Sequence, residues 1–315
     1  MTTTVLRTND GWWMQLDSAT AARIDLAPDA TTGDLLGNRA ALDAAVASVE
    51  RRPIAELALV SPVTTPCRVV AQMTNYASHA RDAGLDPATL PLTFFRKASG
   101  SVCGPTDDVV KPAHVRFLDY EVEVGLVIGK ELPVGTVVTA ENLHEYVAGL
   151  VITNDISARD LQLPKTQFFE AKSYPTFTPT GPALVLLDDA ELRRFDDLRM
   201  TLSVNGETRQ DMVIGGDIIY RPLEALQALS RFQQLAPGDL VLTGTPAGTA
   251  LSAPPKPVEI IGSLLPAATK WAFFFKRQEG NAKYLREGDV MECRVATADG
   301  AIDLGVQRNK VRFAR

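Results

Sequence analysis

The chain is poor in cysteine: Cys67, Cys103 and Cys293 are spread over 315 residues. Three widely spaced cysteines form neither a disulfide framework nor a zinc pattern, which points to a reducing cytoplasm. There is no basic block, and the net charge is −6, so neither nucleic acid nor an anionic membrane surface is expected as a partner. No basic region followed by an apolar stretch opens the chain, and no apolar run is long enough to span a bilayer. Internal repeats and low-complexity tracts are absent. His144-Glu145 lacks the second histidine of a zinc-protease helix. The stretch Gly244-Thr245-Pro246-Ala247-Gly248-Thr249 lacks the Gly-Lys-Ser/Thr ending of a phosphate loop.

What is present suits a soluble protein with a real core: 45% of residues are apolar. The length permits one large domain or two unequal ones. Residues 1–66 read as a small N-terminal domain, with two or three strands over Val5 to Leu26 and one helix over Arg39 to Glu50. Pro53, Pro62 and Pro66 make a linker-like passage before residues 67–315. In that larger part short strands outnumber helices. Examples are Cys67 to Met73, Leu92 to Lys97, Val147 to Thr153, Arg199 to Val204 and Leu240 to Thr243. The expected fold class is therefore β-rich α+β, not a doubly wound α/β sheet.

One stretch organises the rest. In Leu118 to Gly129, the residues Tyr120, Val122, Val124, Leu126 and Ile128 alternate with Glu121, Glu123, Gly125, Val127 and Gly129. This is the period of a β-strand with one apolar face and two carboxylates on the other. Adjacent anions repel and resist burial unless a positive charge joins them, and no Lys, Arg or His interleaves here. A divalent cation on oxygen ligands would resolve the conflict. An edge strand with a solvated acidic face resolves it too, and the bare Glu-x-Glu pattern favours that simpler reading. A second strand ends at Asp155, offering a third carboxylate.

Other polar groups stand at strand ends. Thr74 or Asn75 can cap a short helix that Gly84 ends. On it His79 and Asp82 are three apart and share a face. A carboxylate beside an imidazole raises its basicity and fixes its orientation, although an exposed surface pair has the same spacing. Phe95-Arg96-Lys97 closes an apolar strand with two cations, and Lys172-Ser173 lies in a polar loop.

Together these segments resemble the fumarylacetoacetate hydrolase family. The resemblance covers roughly 67–250 and 284–313, and rests on seven pieces in the family's order. They are Thr74 to Ala80, Phe95-Arg96-Lys97, Asp119 to Glu123, Asn154 to Gln162, Ala171-Lys172-Ser173, Val204 to Glu207 and Thr243 to Gly248. It implies a mixed β-sandwich roll, a homodimer, and metal-dependent cleavage of carbon–carbon bonds in 1,3-dicarbonyl acids. By it Glu121, Glu123 and Asp155 correspond to metal ligands, which reverses the preference for a solvated strand. Such a carboxylate set suits Mg²⁺, with Mn²⁺ or Ca²⁺ as substitutes. His79 corresponds to the family's base on a mobile helix, with Asp82 in place of the usual Glu. Lys172 matches the active-site lysine. Lys97, Arg159, Gln162 and Thr245 match positions around the substrate, and Arg159 could equally pair with Asp160.

The implied chemistry is hydrolysis of an acylpyruvate or fumarylacetoacetate-like oxo acid. His79, held by Asp82, would activate water, Lys172 would assist the leaving enolate, and the metal would stabilise it. The same site permits decarboxylation, isomerisation or hydration of 2-oxo acids. A non-catalytic, metal-stabilised binding protein would keep the three carboxylates without needing His79, Asp82 and Lys172. Residues 250–283 read as an insertion near the pocket, either a packed peripheral loop or a wall for a bulkier substrate.

Overall fold

Val122–Ile128 is buried along its whole length and forms an inner strand of a ten-stranded sheet. The computed structural model describes residues 2–165, 168–253 and 265–314. From edge to edge the sheet runs Arg51–Pro53, Thr20–Arg23, Gly11–Gln15, Thr3–Thr8, Ala183–Leu186, Val147–Asn154, Val122–Ile128, Leu240–Leu242, Val69–Gln72 and Phe94–Lys97. Pairing is antiparallel except between Leu240–Leu242 and Val69–Gln72. The leading residues thus supply four strands at one end of the sheet, joined through Thr3–Thr8 to Ala183–Leu186. A second, five-stranded sheet orders Glu207–Val213, Leu198–Val204, Val290–Thr297, Asp303–Phe313 and Val109–Lys111.

The alternation read from the sequence sorts the two faces. Val122, Val124, Leu126 and Ile128 join one core with Leu198, Met200, Leu202, Met291 and Val295 of the second sheet. Val127, Val151, Leu240 and Leu242 join another with Trp12, Leu35 and Leu42 of the leading segment. Each fully buried aliphatic side chain contributes about 1.5–3 kcal/mol relative to exposure. On the face of Glu121 and Glu123, Gly125 is required by close approach: a Cβ there would lie 2.8 Å from Leu240 Cδ1 and 2.9 Å from Thr153 Cγ2.

The helix expected over 39–50 forms only as Arg39–Ala45, and another short helix, Thr32–Gly37, precedes it. Asn38 ends the earlier helix and caps the later one, its side chain accepting from the Ala41 N–H. In the 250–283 stretch, Ala267–Gln278 is a helix. Its Phe275 stacks between Phe117 and Trp271, with centroids 5.7 and 5.8 Å away. Pro254, Pro255 and Pro257 of that stretch lie outside the described residues. Among the described residues no helix is long and apolar enough to cross a membrane.

Candidate active site

Strand register brings the carboxylates together. Glu123 lies opposite Thr153 and Val122 opposite Asn154, and the Asp155 N–H donates to the Glu121 carbonyl at 2.8 Å. The Asn154 side chain closes the corner by accepting from the Glu121 N–H at 2.9 Å. One carboxylate oxygen from each of Glu121, Glu123 and Asp155 lies within 4.8 Å of the others. Glu121 is 5% exposed, Glu123 and Asp155 1% each. A solvated acidic face is therefore excluded.

The neutralising charges that the strand itself lacks come from elsewhere in the chain. The Lys172 ammonium lies between two carboxylates, donating to Glu121 Oε2 at 2.7 Å and Asp155 Oδ2 at 2.5 Å. Lys97 donates to Asp155 Oδ1 and to the Phe177 carbonyl. Arg159 donates to Asp119 Oδ2 at 2.8 Å, Glu121 Oε1 at 2.5 Å and Gln162 Oε1 at 2.7 Å. Burial disfavours the Glu121 anion, but Lys172 and Arg159 outweigh it and hold the carboxyl far below its ordinary range. For Lys172, burial opposes the charge, yet Asp155 and Glu121 raise the ammonium above its usual value. Lys97 is lowered, burial outweighing Asp155.

Among the described residues no cation hydrogen-bonds Glu123. Its Oε2 accepts from the Gly244 N–H at 2.7 Å. Burial, then Asp155 and Glu121, push its carboxyl well above the ordinary range. Gly244 has φ +89°, and a Cβ there would lie 2.8 Å from Asn75 Cβ, so this position requires glycine.

His79 lies on the helix Ala77–Asp82, whose first residues are held from a distant segment. Asp217 accepts from the Ser78 N–H at 2.8 Å and from the Ser78 hydroxyl at 2.5 Å, and Arg81 approaches it at 3.7 Å. Thr74 and Asn75 do not cap this helix. Asn75 instead donates to the Tyr220 and Thr243 carbonyls, 2.8 Å each, where two loops meet. Gly84, at φ +76°, follows the helix as expected.

The expected His79–Asp82 pair is not formed. His79 Nδ1 is enclosed without a hydrogen-bond partner, and among the described residues no hydrogen bond or ion pair joins it to Asp82. Three residues along a helix brings the two onto one face, and both are half-exposed, but the His79 Nδ1 atom itself is enclosed and does not meet the Asp82 carboxylate. Burial lowers the imidazole below its ordinary value; Glu121 opposes this, and Arg159 and Lys172 add to it. Burial thus favours the uncharged ring, which lies within electrostatic reach of Glu121, Arg159 and Lys172.

The alternative Arg159–Asp160 pair is not formed either. Asp160 accepts from the Arg116 and Phe117 N–H groups, because Arg159 is drawn inward by Asp119 and Glu121. Thr245 is buried, its hydroxyl donating to the Val122 carbonyl and accepting from Gln210, each at 2.8 Å. Two residues that motif reading left without a role, Asp119 and Asp217, each gather several donors. Asp119 opens the alternating Asp119 to Glu123 piece, two residues before Glu121, whereas Asp217 stands in none of the quoted pieces.

The cluster fits a hard divalent cation. Its donors are three carboxylates, with no sulfur or imidazole in the set. The Lys172 ammonium between Glu121 and Asp155 is a protein cation standing in such a place, and among the described residues no cation hydrogen-bonds Glu123.

A family model described as fumarylacetoacetate (FAA) hydrolase C-terminal matches residues 68–312. The chain is 32% identical over 261 residues to a mitochondrial oxaloacetate tautomerase of Bos taurus, covering 82% of this chain and 71% of that protein. Among solved structures, it is similar to one described as a probable 2-hydroxyhepta-2,4-diene-1,7-dioate isomerase from Mycobacterium abscessus. That match has 28% identity, a TM-score of 0.75 and full coverage of both chains. It is also similar to a fumarylacetoacetate hydrolase from the psychrophile Exiguobacterium antarcticum, at 26% identity and TM-score 0.72, again over both whole chains.

Proposed function

The chain belongs to the fumarylacetoacetate hydrolase family, and we propose that it moves a proton between the keto and enol forms of a small 2-oxo acid carrying a second acid or carbonyl group. Glu121, Glu123 and Asp155 would hold a divalent cation, Mg²⁺ by preference. When bound, such a cation supplies Lewis-acid stabilisation of the charge on the enolate oxygen. His79 Nδ1, neutral and without a partner, takes a proton from the carbon beside the keto group. As imidazolium it returns that proton to the oxygen, so the substrate is isomerised with no change in composition. The Lys172 ammonium, beside the same carboxylates, stabilises the anion between the two transfers. Lys97, Arg159 and Gln162 position these groups, and Thr245 braces the strand from which Glu123 projects.

The observation that carries this reading is the lone imidazole. Hydrolysis was favoured by a His79–Asp82 pair that would activate water, and that pair is not formed. Proton transfer needs only the free ring nitrogen. The oxaloacetate tautomerase name of a relative at 32% identity supports the same chemistry. Carbon–carbon bond hydrolysis is the second reading, favoured by the full-length match to a fumarylacetoacetate hydrolase. It requires the Asp82 side chain to rotate towards the ring on the helix they share. With either reading we propose a homodimer in a reducing compartment, in keeping with three free cysteines, to be checked by light scattering.

The deciding experiment follows loss of enol absorbance from oxaloacetate and pyruvate release from acetylpyruvate, each with Mg²⁺ and with chelator. Mg²⁺-dependent ketonisation with little pyruvate release is the expected result. Pyruvate release without ketonisation transfers the case to hydrolysis. Turnover of neither, across a panel of oxo acids, leaves a non-catalytic binding protein.

A further inference from the structure

Asp119 is completely buried and has four donors on its two oxygens. Oδ1 accepts from the N–H groups of Tyr120 and Ala250, at 2.9 and 2.8 Å. Oδ2 accepts from Arg159 Nε at 2.8 Å and from the Leu251 N–H at 3.1 Å. Arg159 passes the contact on to Glu121 Oε1 and to Gln162. The stretch 250–253 that docks on Asp119 also reaches the other wall of the site. The Ala253 N–H donates to the carbonyl of Asp82 at 2.9 Å, at the end of the helix that carries His79. Asn281 clips the same stretch through the Ala250 carbonyl at 2.9 Å.

We infer that Asp119 is a positioning residue that couples the 250–253 stretch, and through it the His79 helix, to the carboxylate of Glu121 by way of Arg159. The inference rests on the reading of Glu121, Glu123 and Asp155 as a cation site. A carboxylate is the group that suits the position: three backbone N–H groups would otherwise lose their acceptor, and a charged guanidinium needs an anion to fix its plane. Partners of a metal-ligating carboxylate tune its affinity, typically by about 10–100-fold. The arrangement makes the first residues of the 250–283 segment part of the site's framework and links them to both the base and the cation ligand.

The test uses the full chain stripped of metal, with Asp119→Asn, Arg159→Gln and the double variant, titrated calorimetrically with Mn²⁺. Asn keeps the shape but turns an NH₂ group towards donors. Each single variant is expected to weaken Mn²⁺ binding by roughly tenfold. The double variant should be no weaker than the worse single variant, because both cut one chain of contacts. Amide exchange at residues 250–251 should speed up in Asp119→Asn and stay unchanged in Arg159→Gln. Additive losses, or unchanged Mn²⁺ affinity in Asp119→Asn despite faster exchange, would reduce Asp119 to a loop anchor and overturn the inference. If wild-type protein takes up no Mn²⁺, the cation reading fails, and exchange alone decides the coupling. Loosening of both 250–251 and the Arg159–Lys165 helix in Asp119→Asn supports it, and an unloosened helix overturns it. Should Asp119→Asn not fold, the Mn²⁺ affinity of Arg159→Gln decides: a tenfold loss supports the relay and an unchanged value overturns it.

Discussion

Replacing Lys172 by Met removes the protein cation that stands between Glu121 and Asp155 while keeping most of its apolar volume. Leaving a buried carboxylate without its partner costs about 3–5 kcal/mol. Arg159 still serves Glu121 and Lys97 still serves Asp155, so the lower end of that range applies. For a chain of 315 residues, an unfolding entropy of about 2.1 cal/mol/K per residue turns 3 kcal/mol into a loss of roughly 5 °C in Tm. This loss belongs to the metal-free protein. A divalent cation supplies the missing charge, and the variant binds it more tightly because no ammonium competes for the same oxygens. Thermal melts in chelator and in saturating Mg²⁺ should therefore show a gap of about 5 °C that closes to within about 2 °C when metal is added. An equal gap in both conditions, or none in chelator, would refute the reasoning that Lys172 and the metal occupy equivalent electrostatic positions.

Glu123→Gln should leave metal-free stability within about 1 kcal/mol, since among the described residues no cation hydrogen-bonds Glu123, and should weaken Mn²⁺ binding by more than about tenfold; melts and calorimetry check both. Asp217→Ala removes the acceptor of the Ser78 N–H, costs about 1–2 kcal/mol like the loss of a helix cap, and should accelerate amide exchange over Ala77–Asp82 while lowering kcat. His79→Ala should abolish enol–keto transfer with Mn²⁺ affinity unchanged, and retained turnover would assign the base elsewhere. Phe275→Ala opens the aromatic stack on Phe117 and should cost about 3 kcal/mol in denaturant titrations without altering Mn²⁺ affinity.

The acidic strand was legible because a period of two is a local property. Tyr120 to Gly129 announced one apolar face and one carboxylate face, and the structure places Val124 and Val127 in separate cores accordingly. One carboxylate oxygen from each of Glu121, Glu123 and Asp155, the residues that the family resemblance marks as ligands, comes within 4.8 Å of the others. What the strand could not reveal is how it is neutralised. Lys97, Arg159 and Lys172 come from other segments, and long-range charge pairing leaves no periodic trace. Helix capping failed for the same reason: Thr74 and Asn75 stand at the right spacing, but Asp217, 139 residues from Ser78, does the work. The His79–Asp82 spacing was right for a shared face and wrong for a contact. Side-chain direction depends on what surrounds the ring, and the charged groups that act on it, Glu121, Arg159 and Lys172, come from distant segments.

The most direct test of a cation held by Glu121, Glu123 and Asp155 for enolate chemistry is an anomalous difference map from crystals grown with Mn²⁺ and oxalate, an analogue of the enolate. The account predicts one peak per chain ligated by those three carboxylates, with oxalate on the side of His79 and Lys172 moved out from between Glu121 and Asp155. A peak at any other group of residues, or Lys172 still bridging the two carboxylates in fully loaded protein, would contradict it.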